Sequence, residues 1–79
     1  MNAAARGRGR SLLESRPGRT ATVETILFEC LRERCDALGI HEGDRLVVET
    51  REGESIVLRT DDAHRLRCPA DVARFVEVR

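Results

Sequence analysis

The chain has 79 residues, 35% of them charged, with two Phe, no Trp or Tyr, and a formal net charge of zero. A chain this short forms one small domain with a thin core, since only about 60% of its unfolded surface becomes buried on folding. This size disfavours an enzyme with a deep catalytic cleft, and the lack of aromatic side chains disfavours single-strand nucleic-acid binding by base stacking. We therefore expect a non-catalytic binding module or subunit.

Charge is unevenly distributed along the sequence. Residues 1–19 carry a net charge of +4 and residues 20–79 a net charge of −4, and all 14 basic residues are Arg. We attribute the absence of Lys first to codon bias and only second to anion recognition. Residues 1–19 have little apolar content, which predicts a disordered basic Arg/Gly tail. Its functional alternative is a basic arm for nucleic acid or for an acidic partner.

The sequence also predicts a cellular location. It holds no apolar run of the roughly 20 residues needed to span a bilayer, and its start lacks the apolar region of a secretory signal. Its three Cys are an odd number, which argues against a disulfide framework. We expect a cytoplasmic protein, either free or held at the inner membrane through a partner.

The first regular elements are a strand and a helix. Alternating β-branched residues predict a strand over 20–28, with Ala21, Val23, Thr25 and Leu27 on one face. The period then changes. An apolar stripe typical of a helix runs through residues 29–38, made by Leu31, Cys35 and Leu38.

The rest of the chain reads as short strands and turns. Gly39 stands where a helix commonly ends in the left-handed conformation, and Gly43 precedes the next strand. The pattern predicts strands over residues 45–50, 55–60, 64–68 and 75–78, and a helical turn over 71–74. About five short strands with one helix favour a small, mainly β barrel, because closure removes exposed edges.

Two segments of this sequence resemble the FeoA family, the ferrous-iron-transport protein A domains. The first is CDALGIHEGDRLVV, which carries Cys35, Asp36, Leu38, Gly39, Ile40, Gly43 and Val47 at the family's positions. The second is the ending ARFVEV, which carries Ala73, Val76 and Val78. The resemblance covers residues 20–79.

The resemblance implies both a fold and a role. The fold is an SH3-like β-barrel with a helical insert after the first strand. The role is that of a small accessory or adaptor protein that contacts a protein partner, either a ferrous iron transporter in the membrane or another larger complex. Such domains also occur within iron-dependent repressors, so a metal-responsive regulatory domain is an alternative.

A second resemblance gives a different class of function. The segment LRERCDALGIHEGDRLVVETREGESIVLR is also similar to the AbrB/MazE-type swapped-hairpin DNA-binding fold. That family normally has Ile-Pro before its Arg segment, where this chain has Phe28-Glu29-Cys30. Residues 20–79 are acidic, so they attract phosphates weakly. Nucleic acid is therefore the less favoured partner.

The cysteines and histidines are the candidate metal ligands of this sequence. Cys30 and Cys35 lie about 140° apart around a helix, which is poor geometry for a shared metal ion. Both are predicted to lie in the core. The remaining weak candidates for metal ligands, taken with Cys30, are His41, His64 and Cys68. We expect no metal and no other cofactor, with a transition metal as the alternative.

The contact surface for a partner is predicted at the end of the helix and in the turn after it. Binding residues concentrate on loops held by a rigid scaffold. The residues assigned to this surface are Arg32, Arg34, Ile40, His41 and Glu42. The remaining family positions are assigned structural roles.

Overall fold

The computed structural model describes residues 10–79 of the chain. Its elements, in chain order, are β1 (Arg10–Ser11), a 3-10 helix (Leu12–Glu14), β2 (Thr20–Ile26), α1 (Glu29–Leu38), β3 (Arg45–Glu52), β4 (Ser55–Thr60), β5 (Arg65–Pro69), α2 (Ala70–Ala73) and β6 (Val76–Val78). The strands pair antiparallel in the order β1-β6-β2-β3-β4-β5. The predicted mainly β architecture, with a helix inserted after the first long strand, is confirmed.

One apolar core joins the sheet to α1, α2 and the 3-10 helix. Leu31, Leu38 and Leu66 pack against its edge. Its fully buried large side chains are Leu12, Ile40, Leu46, Ile56, Leu58, Val23, Val48, Val72, Val76, Val78, Cys35 and Cys68. The family positions Cys35, Ala73, Val76 and Val78 therefore lie inside the domain.

The inward face of β2 changes part-way along the strand. Val23 pairs with Val78 and Thr25 with Glu77, so the register shifts between them. Such a bulge moves the following side chains to the opposite face. Ile26 is buried as a result, whereas Leu27 is 44% exposed. The predicted face through Thr25 and Leu27 is wrong beyond the bulge.

Two glycines position the turn between α1 and β3. Gly39 has a φ of 92° and ends α1, while the N–H of Ile40 donates to the carbonyl oxygen of Cys35 at 2.8 Å. Gly43 has a φ of 96°, and its N–H donates to the carbonyl oxygen of Val23 at 2.8 Å. The turn is thereby fixed at both ends, to α1 and to β2.

The domain begins earlier than predicted. Residues 10–19 were assigned to a disordered tail, but Arg10 pairs with Val78 and Leu12 is fully buried. The N–H of Gly18 also donates to the carbonyl oxygen of Val48 at 2.7 Å. The boundary at residue 20 is wrong, because long-range contacts compensate for the weak local propensity of this segment. The rest of the predicted tail, residues 1–9, lies outside the described residues.

The swapped-hairpin alternative is not supported. It would place residues 31–59 in an AbrB/MazE-type dimer with interleaved hairpins. In this structure the two strands of that segment, β3 and β4, pair with β2 and β5 within a single chain. In the same sheet β6 lies between β1 and β2, so the ending FVEV is an internal part of the barrel. The alternative fold leaves this strand without a place.

Candidate partner-binding site

The predicted contact region surrounds a cavity of about 330 Å³ on one side of the barrel. The residues lining it are Ile26, Arg32, Asp36, Ile40, His41 and Glu42. We call this surface the α1–turn face. It brings together side chains from the end of β2, from α1 and from the turn that Gly39 and Gly43 shape, although these segments are separate in the sequence.

Glu42 ties the turn both to α1 and to β2. Its carboxylate accepts a hydrogen bond from the backbone N–H of Ile26 at 3.0 Å and pairs with the Arg32 guanidinium at 3.0 Å. These contacts, the Ile26 N–H first, lower the pKa of the Glu42 carboxyl below its usual value. The Glu42 carboxylate thus stays ionised and links the turn to both β2 and α1.

His41 is held by two carboxylates on the same surface. Its ring Nε2 lies 2.8 Å from Asp36 Oδ1, and its backbone N–H donates to Asp44 Oδ2 at 2.8 Å. The hydrogen bond to Asp36 is the main cause of a raised pKa for His41, with the charge of Asp44 adding to it. Protonation of His41 therefore strengthens the link between α1 and the turn.

Two residues predicted for this surface do not contribute an exposed side chain to it. Ile40 is 1% exposed and belongs to the core, so its side chain offers nothing to a partner. The chain turns inward directly after Gly39, which buries the residue that follows it. Arg34 is exposed but does not line the cavity, because it is about 200° around the helix from Arg32.

Sequence reasoning missed an apolar patch beside the cavity. Leu27 is 44% exposed and Phe28 is 50% exposed. The Phe28 ring meets that of Phe75 edge to face, with centroids 5.2 Å apart. Phe28 directly precedes α1, and its carbonyl oxygen accepts a hydrogen bond at 2.9 Å from the N–H of Arg32, a residue that lines the cavity. The exposure of Leu27 follows from the β2 bulge, which the sequence pattern did not reveal.

The candidate metal ligands are dispersed. Cys30 is exposed on α1, contrary to its predicted core position, whereas Cys68 is buried on β5. His64 lies in a turn, 3.3 Å from Asp62. Among residues 10–79, no three His, Cys, Asp or Glu side chains converge in a way that could hold a metal ion.

The buried thiols lie in an environment that suppresses their chemistry. Burial raises the pKa of Cys68 to about 12, and the nearby Cys35 contributes to the rise. Burial likewise raises the pKa of Cys35, partly offset by Arg34. Because the thiolate is the reactive form, these two residues act as core side chains.

A separate cavity of about 420 Å³ opens on the other side of the turn, beside β3 and β4. Its Asp61 lies 3.4 Å from Arg45, and its Asp62 accepts a hydrogen bond from the hydroxyl of Thr60. That hydroxyl is the main cause of a lowered pKa for Asp62. These groups satisfy one another, which is typical of turn chemistry.

Comparison with known families identifies the domain. A family model described as the FeoA domain matches residues 10–79. The chain belongs to the FeoA domain family. The match starts at β1, so the family's extent agrees with the corrected start of the barrel rather than with residue 20.

Solved structures share the FeoA fold. An iron uptake regulatory protein (FeoA) superposes with a TM-score of 0.77 at 24% identity, covering 89% of this chain and 93% of that one. A manganese-dependent transcriptional repressor in complex with manganese superposes at 0.78 with 23% identity, covering 90% of this chain and 36% of that one. A further manganese-dependent transcriptional repressor gives 0.76 at 24% identity, covering 90% and 40%. The chain thus spans well under half of the repressors, and the SH3-like fold is confirmed.

Two further findings complete the comparison. No curated protein sequence matches this chain. No helix within residues 10–79 is long and apolar enough to cross a membrane.

Proposed function

We propose that this FeoA domain is a non-catalytic adaptor that binds a protein partner through the α1–turn face. Its process is ferrous iron uptake, and its partner is a membrane transporter for ferrous iron, met on the cytoplasmic side. Membership of the FeoA family supports the process. The exposed Phe28 beside a cavity with rigid walls supports the mode of action.

The observation that carries the proposal is the contrast between Phe28 and its polar neighbours. Arg32 and His41 already have carboxylate partners within the chain, at 3.0 and 2.8 Å. A partner therefore gains little by pairing with them, but it gains by covering Phe28 and Leu27. Aromatic anchors inside a ring of satisfied polar groups are typical of protein interfaces.

The rigidity of this surface favours binding. The hydrogen bond of Glu42 to the Ile26 N–H, and the backbone bond of Gly43 to Val23, both hold the turn to β2. A face that is already ordered loses little entropy when a partner docks. The free domain thus presents its contact surface in a form ready to bind.

The proposal is tested by recovering the tagged full chain from its native cell under mild detergent. We expect a ferrous iron transporter in the eluate. Phe28→Ser lowers its recovery at least about tenfold, since truncating an aromatic anchor costs about 2 kcal/mol or more. Phe28→Leu is the matched control, because it keeps an apolar side chain at the same site.

Three results would contradict the proposal. Equal recovery with both variants removes Phe28 from the interface, and an eluate without a transporter removes the assigned process. The third contradicting result would come from metal analysis of the purified chain. Stoichiometric iron or zinc in the isolated domain would show that it is a metal-binding module instead.

A further inference from the structure

Three arginines converge at the start of the barrel. Arg10, Arg16 and Arg19 line a cavity of about 250 Å³, and no other described residue lines it. Arg10 lies on β1, Arg16 lies in the loop that follows the 3-10 helix, and Arg19 directly precedes β2. We call this feature the arginine pocket. It lies at the Thr20 end of β2, whereas the α1–turn face lies beyond the Ile26 end.

The backbone that carries the arginine pocket is anchored. Arg10 pairs with Val78, and the buried Leu12 holds the following turn in the core. The Arg51 guanidinium donates to the carbonyl oxygens of Leu13 and Ser15, which fixes the bend before Arg16. The three guanidinium groups thus project from a structured scaffold.

These arginines combine two properties, convergence on one cavity and the lack of a carboxylate partner. Arg32, Arg45, Arg59, Arg65, Arg67 and Arg79 each lie within 3.4 Å of a carboxylate oxygen. Within the described residues, Arg10, Arg16 and Arg19 have no such partner. Arg34, Arg51 and Arg74 also lack such a partner among the described residues, but none of them lines the arginine pocket. Three like charges around one cavity repel one another, so an anion placed between them is favoured.

The segment before the barrel cannot neutralise the pocket. Residues 1–9 contain no Asp or Glu, and they contain Arg6 and Arg8. An anion that pairs with these arginines therefore comes from outside residues 1–9. The charges of Arg6 and Arg8 add to the attraction of this region for an anion instead of reducing it.

A smaller adjoining cavity extends the same site. It has a volume of about 100 Å³ and includes Ser15, Thr20 and Arg79 beside the three arginines. Ser15 and Thr20 carry hydroxyls, which donate hydrogen bonds to oxyanions. The side chain of Arg79 already binds Glu24 at 3.3 Å, so the pocket's own arginines carry the uncompensated charge.

We propose that the arginine pocket binds a terminal phosphate group in its dianionic form. Such a group has three equivalent oxygen acceptors and two negative charges, which suits several converging guanidinium forks. A single carboxylate carries one charge and has two oxygens. The phosphodiesters of duplex DNA carry one charge each and lie along an extended backbone, so they match one compact pocket poorly. The proposal is independent of partner binding at the α1–turn face.

The test measures anion binding to the full chain by amide chemical shifts at constant ionic strength. Inorganic phosphate and sulfate at pH 7.5 should shift the amides of residues 10–20 and saturate, while malonate should not. The double variant Arg16→Gln/Arg19→Gln should weaken phosphate binding at least about tenfold, since each hydrogen bond between charged groups contributes strongly.

A matched control and a pH series make the result specific. Arg74→Gln removes one exposed positive charge outside the pocket and should leave affinity within about twofold, as expected for a distant, screened charge. Between pH 7.5 and 5, binding of the phosphate ester glycerol 3-phosphate should weaken about tenfold, because the second pKa of a phosphate ester is about 6. Sulfate keeps both charges over this range and should bind equally at both pH values.

Two phosphate sources are distinguished by two further arms. Glycerol 3-phosphate represents a soluble metabolite, and vesicles with and without phosphatidic acid represent a lipid headgroup. Tighter binding in either arm, lost in the double variant, supports the proposal and names the source. Equal binding of malonate, equal loss in Arg74→Gln, or binding of a DNA duplex in preference to both probes would overturn it.

Discussion

The two ends of β2 carry surfaces with opposite charge chemistry. At the α1–turn face, Arg32 and His41 have carboxylate partners at 3.0 and 2.8 Å. At the arginine pocket, the guanidinium groups have none among the residues that the structure describes. The net charge of zero does not reveal this difference, because it sums the charges of the whole chain. It does not distinguish the α1–turn face, where charges are paired, from the arginine pocket, where they are not. Pairing, rather than composition, indicates which surface requires an external ion.

The comparison depends on the arginine pocket being part of the folded barrel. Leu12→Ala tests this, because removing a fully buried Leu side chain costs about 2–5 kcal/mol. Denaturant unfolding monitored by circular dichroism should show a loss of that size. Leu13→Ala, at the half-buried neighbour, should cost much less. Equal small losses in both variants would detach residues 10–14 from the core and leave the pocket without a scaffold.

The second prediction is that removing one Arg charge from each surface shifts the melting temperature in opposite directions. Arg16→Gln relieves repulsion in the arginine pocket and should raise the melting temperature, whereas Arg32→Gln breaks the pair with Glu42 and should lower it. Each shift should be about 1–3 °C, since exposed charge interactions contribute a fraction of a kcal/mol. Both should shrink in 0.5 M salt through screening. Two shifts of the same sign would remove the distinction between the surfaces.

The smallest expected effect concerns His41. Its pKa is raised in the folded state by Asp36 and Asp44, so the protonated ring is bound more favourably than in the unfolded chain. The resulting stabilisation is present below the unfolded value of 6.5 and disappears as pH rises through the folded pKa. Melting temperatures from pH 5 to 8 should show this decline, and His41→Asn should remove it. A raised His41 pKa is also directly visible in an NMR titration of its ring, and a value below 6.5 would refute the pairing.

Local patterns in the sequence predicted much of the fold. The stripe of Leu31, Cys35 and Leu38, followed by Gly39, located the helix over residues 29–38, where α1 is found. Helix periodicity and a left-handed stop are properties of neighbouring residues, so they can be read without a structure. The later strands likewise lie within two residues of their predicted positions.

Features that depend on distant residues were not predictable in this way. The order of residues 10–19 requires the pairing of β1 with β6, near the other end of the sequence. The exposure of Leu27 requires a bulge that only the pairing with β6 reveals. Cys30 was assigned to the core, yet its position on α1 faces away from the stripe and is exposed.

The candidate site shows the same division. Four of the five predicted contact residues line the cavity, but Ile40 does so from the core and Arg34 lies elsewhere. The link from Glu42 to the Ile26 N–H spans 16 positions, and no local pattern encodes it. The arginine pocket was visible only as the basic composition of residues 1–19.

The pairing of β1 with β6 also has a consequence during synthesis on the ribosome. Strand β1 cannot find its partner until Val78 has emerged, so Leu12 stays uncovered while most of the barrel is already translated. Closure of such long-range contacts is slow compared with helix formation. The nascent chain therefore passes through a stage with an exposed apolar segment and an unpaired β2 edge, two features that make a folding intermediate prone to aggregate.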